Sequence, residues 1–124
     1  MYELTVKSEF SAAHRLRGYE GDCANLHGHN WTVELVVRAE TLSPVGLAVD
    51  FRELKSALRE TLAGLDHKNL SELPPFDEIS PSSEHIAEWL FAQMAPTVEQ
   101  LGGRLAAVRV AESDDCSVSY DGIS

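Results

Sequence analysis

Apolar and polar residues alternate near both ends of the chain, and apolar residues recur at helical spacing through its middle. In Glu3 to Ala13 the apolar side chains Leu4, Val6 and Phe10 fall on alternate positions, with Ser8 interrupting them, so Tyr2 to Ala13 reads as a first strand that carries His14 at its end. A second strand is opened by His27 and His29 and continues through Asn30-Trp31-Thr32-Val33-Glu34-Leu35-Val36-Val37 to about Glu40. Ser43-Pro44-Val45-Gly46 then supplies turn chemistry, and Asp50, with Glu53 three residues on, resembles a capping box. Phe51, Leu54, Leu58, Leu62 and Leu65 recur at helical spacing until Gly64 lets the chain leave. A second helix starts at Pro81-Ser82-Ser83-Glu84 with a serine cap and buries Ile86, Trp89, Leu90, Met94 and Val98. Pro96 inside that stripe removes a backbone hydrogen bond and predicts a kink or an early end. Leu105 to Glu112 and Cys116 to Tyr120 read as two further strands joined through Ser113-Asp114-Asp115. The order ββααββ predicts an α+β fold, with a four-stranded antiparallel sheet and two helices on one face.

A length of 124 residues suits one domain, here 1–124, with a core large enough to need no disulfide staples. The formal charge of −10, from 10 basic and 20 acidic side chains, gives no long-range attraction to nucleic acid or an anionic membrane. An anionic substrate would therefore need a local basic patch. No apolar run reaches membrane-spanning length, and Met1-Tyr2-Glu3-Leu4-Thr5 passes directly into strand-like sequence, which predicts a cytoplasmic protein with no membrane partner. In that reducing compartment Cys23 and Cys116 are expected to be thiols.

His27 and His29 lie two apart on a strand, so their imidazoles face one side with only Gly28 between them. Such pairs are more often structural than metal-binding, but His14 at the end of a neighbouring strand supplies a third imidazole, the set a catalytic zinc uses while leaving one position open. Cys23 is either a fourth ligand, closing a structural site, or a thiol beside an open one. Arg15 and Arg17 would bring positive charge near the metal, although ordinary solvated arginines are as good a reading. Asp66-His67 is a weak motif: neighbouring side chains need not face each other, and His67 is either a surface or helix-terminal residue or, with Asp66, a proton-transfer pair. Glu112 follows Val108 and Val110 on one face of a strand, where a half-buried carboxylate needs a partner; the bland alternative is a solvated turn carboxylate.

Phe10-Ser11-Ala12-Ala13-His14, Cys23-x-x-x-His27-Gly28-His29-Asn30, Val49-Asp50-Phe51, Leu65-Asp66-His67-Lys68-Asn69-Leu70, Pro81-Ser82-Ser83-Glu84 and Glu112 occur in this order over nearly the whole chain. Together they resemble the 6-pyruvoyl-tetrahydropterin synthase family, and the three residues between Cys23 and His27 resemble its 6-carboxy-tetrahydropterin synthase branch in queuosine biosynthesis. The resemblance implies the tunnelling fold, whose subunits join their sheets into a barrel as homotrimers stacked into homohexamers. It also implies Zn2+ on His14, His27 and His29, Cys23 as general base, Asp66 and His67 assisting proton transfer, and Glu112 anchoring the pterin ring, with Ser83 and Glu84 adding to substrate binding. The implied reaction converts 7,8-dihydroneopterin triphosphate to 6-carboxy-5,6,7,8-tetrahydropterin, releasing acetaldehyde and triphosphate. Formation of 6-pyruvoyl-tetrahydropterin, aldolase cleavage of the side chain, and a non-catalytic zinc or pterin-binding module are the competing readings. Three departures stand out: Asp22 adjoins Cys23 and, if near it in space, disfavours the thiolate; Trp31 stands where tyrosine or phenylalanine is common; and Ser82-Ser83-Glu84-His85 replaces Thr-Ser-Glu-Asn.

Overall fold

The computed structural model describes residues 1–18 and 25–123. Strands β1 (Tyr2–His14) and β2 (His27–Ala39) pair antiparallel along their full length, from Tyr2 opposite Ala39 to His14 opposite His27. Helix α1 (Phe51–Ala63) follows, then the two-residue strand β3 (Lys68–Asn69), helix α2 (Ser83–Gln100), and strands β4 (Arg104–Ala111) and β5 (Ser117–Tyr120). The sheet order is β3-β1-β2-β4-β5, with β3 parallel to β1 and the other pairs antiparallel. This is an α+β fold with the four long strands in the expected places. The fifth strand makes the sheet mixed rather than wholly antiparallel; two residues are too short to show a period of their own.

Alternation sorts the strands into two faces. Val6, Phe10 and Ala12 of β1, Trp31, Val33, Leu35 and Val37 of β2, and Val108 and Val110 of β4 share one buried cluster with Leu54, Leu58 and Leu62 of α1 and Ile86, Leu90, Met94 and Val98 of α2. Both helices thus cover one face. On the opposite face the charged row Lys7, Glu34 and Arg109 runs across the strands, with ion-pair distances of 3.3 and 3.5 Å to Glu34. At one end of the core Trp31 is fully buried, stacks on Phe10 with ring centroids 5.9 Å apart, and donates its Nε1–H to the Ala12 carbonyl at 3.2 Å.

One sequence expectation changes, and at Pro96 one of two alternatives falls away. Phe51 is 54% exposed because it is the first helical residue of α1, outside the stretch buried through Leu54, Leu58 and Leu62. Helix α2 runs through Pro96 to Gln100 without ending early. Pro96 and Ala92, whose carbonyl loses its usual donor, are both exposed, so water can take the place of the missing N–H. The caps agree with the sequence: Asp50 accepts from Arg52 N–H at 2.8 Å, and Ser82 accepts from His85 N–H at 3.1 Å.

Gly103, where the chain leaves α2 for β4, is fixed by close approach. A Cβ there would lie 2.5 Å from Val37 Cγ1 and 3.2 Å from Val49 Cγ2. Gly103→Ala should therefore cost about 1–3 kcal/mol through overpacking, read as a lower urea midpoint at unchanged slope. An unchanged midpoint would show that Val37 gives way freely.

Candidate metal centre

His14 is the last residue of β1, and His27 and His29 are the first and third of β2, so the antiparallel register sets all three at one end of the sheet. Their parity with Ala12 and Trp31 turns them to the helix-covered face. The rings meet edge to face, with centroids 4.5 Å apart for His14 and His27, 5.1 Å for His14 and His29, and 4.8 Å for His27 and His29. Trp31 forms the floor, with its centroid 4.8 Å from that of His14 and 5.2 Å from that of His29.

The ring nitrogens suit a metal. His14 is 2% exposed, and its Nδ1–H donates to the Pro81 carbonyl at 2.7 Å. His27 Nδ1–H donates to the Asn25 carbonyl at 2.7 Å. A carbonyl can only accept, so both bonds put the proton on Nδ1 and leave Nε2 with a free lone pair, as metal-binding histidines do. His14 Nε2 and His29 Nε2 are buried without a hydrogen-bond partner, a costly arrangement that an ion would relieve. One nitrogen from each of the three rings lies within 4.8 Å of the others, so small side-chain rotations bring all three to one ion. Burial, followed by the neighbouring imidazoles His27 and His29, holds the His14 pKa below its ordinary 6.5, against the opposing pull of the Pro81 carbonyl and Glu112. His14 is thus neutral at neutral pH, as ligation requires.

Glu112 lies at this centre. The residue follows β4 directly, and its Oε1 accepts from Ser83 Oγ at 2.7 Å, while Oε2 lies 3.3 Å from His29 Nε2 in a direction that does not make a hydrogen bond. Its side chain is 37% exposed, so the solvated turn carboxylate does not describe it. Two carboxylate oxygens carry about four lone-pair positions, so Glu112 keeps acceptor capacity beyond its bond to Ser83. Glu84, the next residue, is exposed.

Asp66 and His67 do form a pair. Asp66 Oδ2 lies 2.9 Å from His67 Nδ1, and Asp66 Oδ1 accepts from the Ser11 amide at 2.8 Å. His67 holds a φ of 59°, a strained value for a non-glycine residue, and its own amide donates to the Ser11 carbonyl. His67 is therefore pinned to the edge of β1 rather than standing at a helix end. That edge is the one away from β2, and His67 is 81% exposed; among the described residues no hydrogen bond or ion pair joins the pair to the three histidines. The Ser11 amide first, then His67, holds the Asp66 carboxyl below its ordinary 3.8. The sign follows: this stabilisation is complete above the unfolded value and is lost as pH falls through the lower folded one. Asp66→Asn should flatten the decline of the urea midpoint as pH falls through and below the ordinary carboxyl value of 3.8, whereas an identical decline in both forms would show that Asp66 does not contribute.

Arg17 does not serve the centre as a free charge: its guanidinium donates to the backbone carbonyls of Asp77 and, at 2.9 Å, Ser71. Arg15 is exposed, its amide bonded to Ser71 Oγ at 3.1 Å. Cys23 lies outside the described residues, and Cys116 is an exposed free thiol. Sequence reasoning missed the carbonyls of Pro81 and Asn25, which fix the ring tautomers; a backbone carbonyl carries no residue signature. It also missed the direct Ser83 to Glu112 bond, which joins positions 29 residues apart.

Residues 3–123 match the family model described as 6-pyruvoyl tetrahydropterin synthase. A Synechocystis protein named 6-carboxy-5,6,7,8-tetrahydropterin synthase is 35% identical over 99 residues, covering 76% of this chain and 75% of the relative. A Dictyostelium discoideum protein named 6-pyruvoyl tetrahydrobiopterin synthase is 29% identical over 131 residues, covering 96% and 95%. The solved structure of Caenorhabditis elegans 6-pyruvoyl tetrahydropterin synthase superposes with a TM-score of 0.83 at 26% identity, over 98% of this chain and 96% of that one.

Proposed function

Because the chain belongs to the 6-pyruvoyl tetrahydropterin synthase family and is a pterin lyase of that family, we propose that it converts 7,8-dihydroneopterin triphosphate and one water to 6-carboxy-5,6,7,8-tetrahydropterin, with release of acetaldehyde and triphosphate, in queuosine biosynthesis. The observation that carries this reading is the cluster of His14, His27 and His29, with unpartnered inward nitrogens and the Glu112 carboxylate beside it.

Zinc is the proposed ion, held by the three imidazoles; when bound it would polarise the substrate's side-chain hydroxyls and acidify the adjacent C–H. Glu112 receives the N–H donors on the 2-amino-4-oxo edge of the pterin, a charge-assisted pairing that sets the ring's orientation. Ser83 holds Glu112 in place for this, and the exposed Glu84, next to Ser83 in sequence, adds to substrate binding. Cys23 takes the carbon-bound proton as thiolate, and Asp66 with His67 moves protons at the substrate side chain. Within one chain Asp66 and His67 sit across β1 from the histidines, so a substrate must reach over that strand or use the pair of a neighbouring copy.

A closed homo-oligomer, trimer or hexamer, is part of the proposal. Between Tyr2 and Phe10 the outer edge of β1 has no strand partner among the described residues, and β5 forms the opposite edge. Open edges of this length invite pairing with another copy, and closure into a barrel removes the hazard. A monomeric mass in solution at micromolar concentration would contradict it.

Turnover is the test of the reaction: zinc-loaded protein given 7,8-dihydroneopterin triphosphate should release triphosphate, followed by phosphorus NMR, and substrate left intact would reject the reading. The ring site has its own test. Glu112→Gln turns one acceptor into a donor facing another donor, so the affinity for sepiapterin should fall about 10–100-fold, the worth of a hydrogen bond to a charged group, with zinc content unchanged. Equal affinities would reject Glu112 as the anchor.

A further inference from the structure

Four consecutive residues at the entrance to α2 are hydrogen-bonded, two of them to the centre itself. Ser80 accepts twice: its Oγ takes the Arg17 amide N–H at 3.0 Å, and its carbonyl takes the His85 Nδ1–H at 2.6 Å. The Pro81 carbonyl takes the Nδ1–H of His14 at 2.7 Å, Ser82 Oγ caps the helix through the His85 amide at 3.1 Å, and Ser83 Oγ donates to Glu112 at 2.7 Å. The orientation of a metal-binding imidazole is set by the partner of its other ring nitrogen. For His14 that partner is the backbone carbonyl of the buried Pro81, so its position depends on the turn that carries it. One side chain holds that turn directly and another at one remove, by fixing the strand end whose amide reaches Ser80. Arg17 spans from the end of β1 to the carbonyls of Ser71 and Asp77, and its amide reaches Ser80. His85, in the first turn of α2, folds back onto the Ser80 carbonyl, next to the carbonyl that holds His14.

We propose that Arg17 and His85 are positioning residues for the metal-binding imidazole of His14, acting through the turn Ser80 to Ser82. The inference rests on the three-histidine reading of the centre. Neither side chain touches the ring of His14: His85 holds the Ser80 carbonyl, one residue before the carbonyl that selects the tautomer, and the Arg17 guanidinium, tied to Ser71 and Asp77, holds in place the backbone amide that bonds Ser80 Oγ. The guanidinium fork of Arg17 suits this because it satisfies two carbonyls at once, which a single ammonium cannot do with the same geometry. His85 acts as an N–H donor, a role an asparagine amide can also fill.

Zinc affinity, measured by competition with a chromophoric chelator, is the first readout. His85→Ala and Arg17→Ala should each weaken zinc binding about 10–100-fold, the usual effect of losing a partner of a metal ligand. His85→Asn should retain most of the affinity, and Arg17→Lys, which keeps the charge but not the fork, should lose it as Arg17→Ala does. Arg59→Ala, which removes an exposed cation of α1, is the control and should bind zinc as the parent does. The second readout is nitrogen NMR of the metal-free protein: His14 should be protonated on Nδ1 in the parent and Arg59→Ala, and mixed between tautomers in the two alanine variants. Unchanged zinc affinity and an unchanged His14 tautomer in both alanine variants would overturn the proposal. Failure of the three-histidine reading is a separate result, in which the parent protein itself binds no zinc.

Discussion

His27→Ala should leave the protein folded but nearly free of zinc and should lower turnover about 10²–10³-fold, since the ion's contribution of several kcal/mol is lost at about 1.4 kcal/mol per tenfold. The reason lies in where His27 sits. It opens β2 opposite His14, its Nδ1–H is engaged by the Asn25 carbonyl, and it supplies one of the three nitrogens that cluster among the described residues. Two imidazoles do not make the three-ligand set of a catalytic zinc. The fold should tolerate the loss because His27 is only partly buried at the end of the sheet, away from the Leu54, Leu58 and Leu62 stripe. Zinc content by atomic emission and the urea midpoint of the metal-free forms are the measurements. Full zinc content in His27→Ala would remove this residue from the ligand set.

Cys23→Ala separates two readings that spacing leaves open. As general base, Cys23 supplies about 10²–10⁴-fold of rate, so the variant should keep zinc near one per chain while its turnover falls by that factor. As a fourth ligand in a closed structural site, its removal would release zinc as completely as the loss of His27. The described geometry favours the first outcome. His14 and His27 both have their outer ring nitrogens fixed by carbonyls, and Glu112, held by Ser83 and 3.3 Å from His29, is a partly exposed carboxylate with acceptor capacity to spare, of use to a substrate rather than to a sealed ion. Zinc loss matching that of His27→Ala would overturn it.

Much of this centre was legible before any coordinates because it depends on periodicity. Two-residue alternation placed His27 and His29 on one side of β2, set Glu112 on the face of Val108 and Val110, and put His14 at the end of the neighbouring strand; the register brings these together. The leucine spacing of α1 was legible for the same reason. What the sequence hid has no period. Strand β3 is two residues long, the Asp66 to His67 pair depends on a left-handed φ at His67, and the Ser83 to Glu112 bond joins two chain-distant elements. Arg17 illustrates the limit: its charge suggested proximity to a metal, whereas its fork is spent on the carbonyls of Ser71 and Asp77. Charge can be read from a residue type; which acceptor it finds depends on loops that meet only in the folded chain.

The identity of the product tests the central claim most directly. Zinc-loaded protein incubated with 7,8-dihydroneopterin triphosphate, with the products identified by mass spectrometry, should yield 6-carboxy-5,6,7,8-tetrahydropterin together with acetaldehyde and triphosphate. Accumulation of 6-pyruvoyl-tetrahydropterin without acetaldehyde, or recovery of intact substrate, would contradict it.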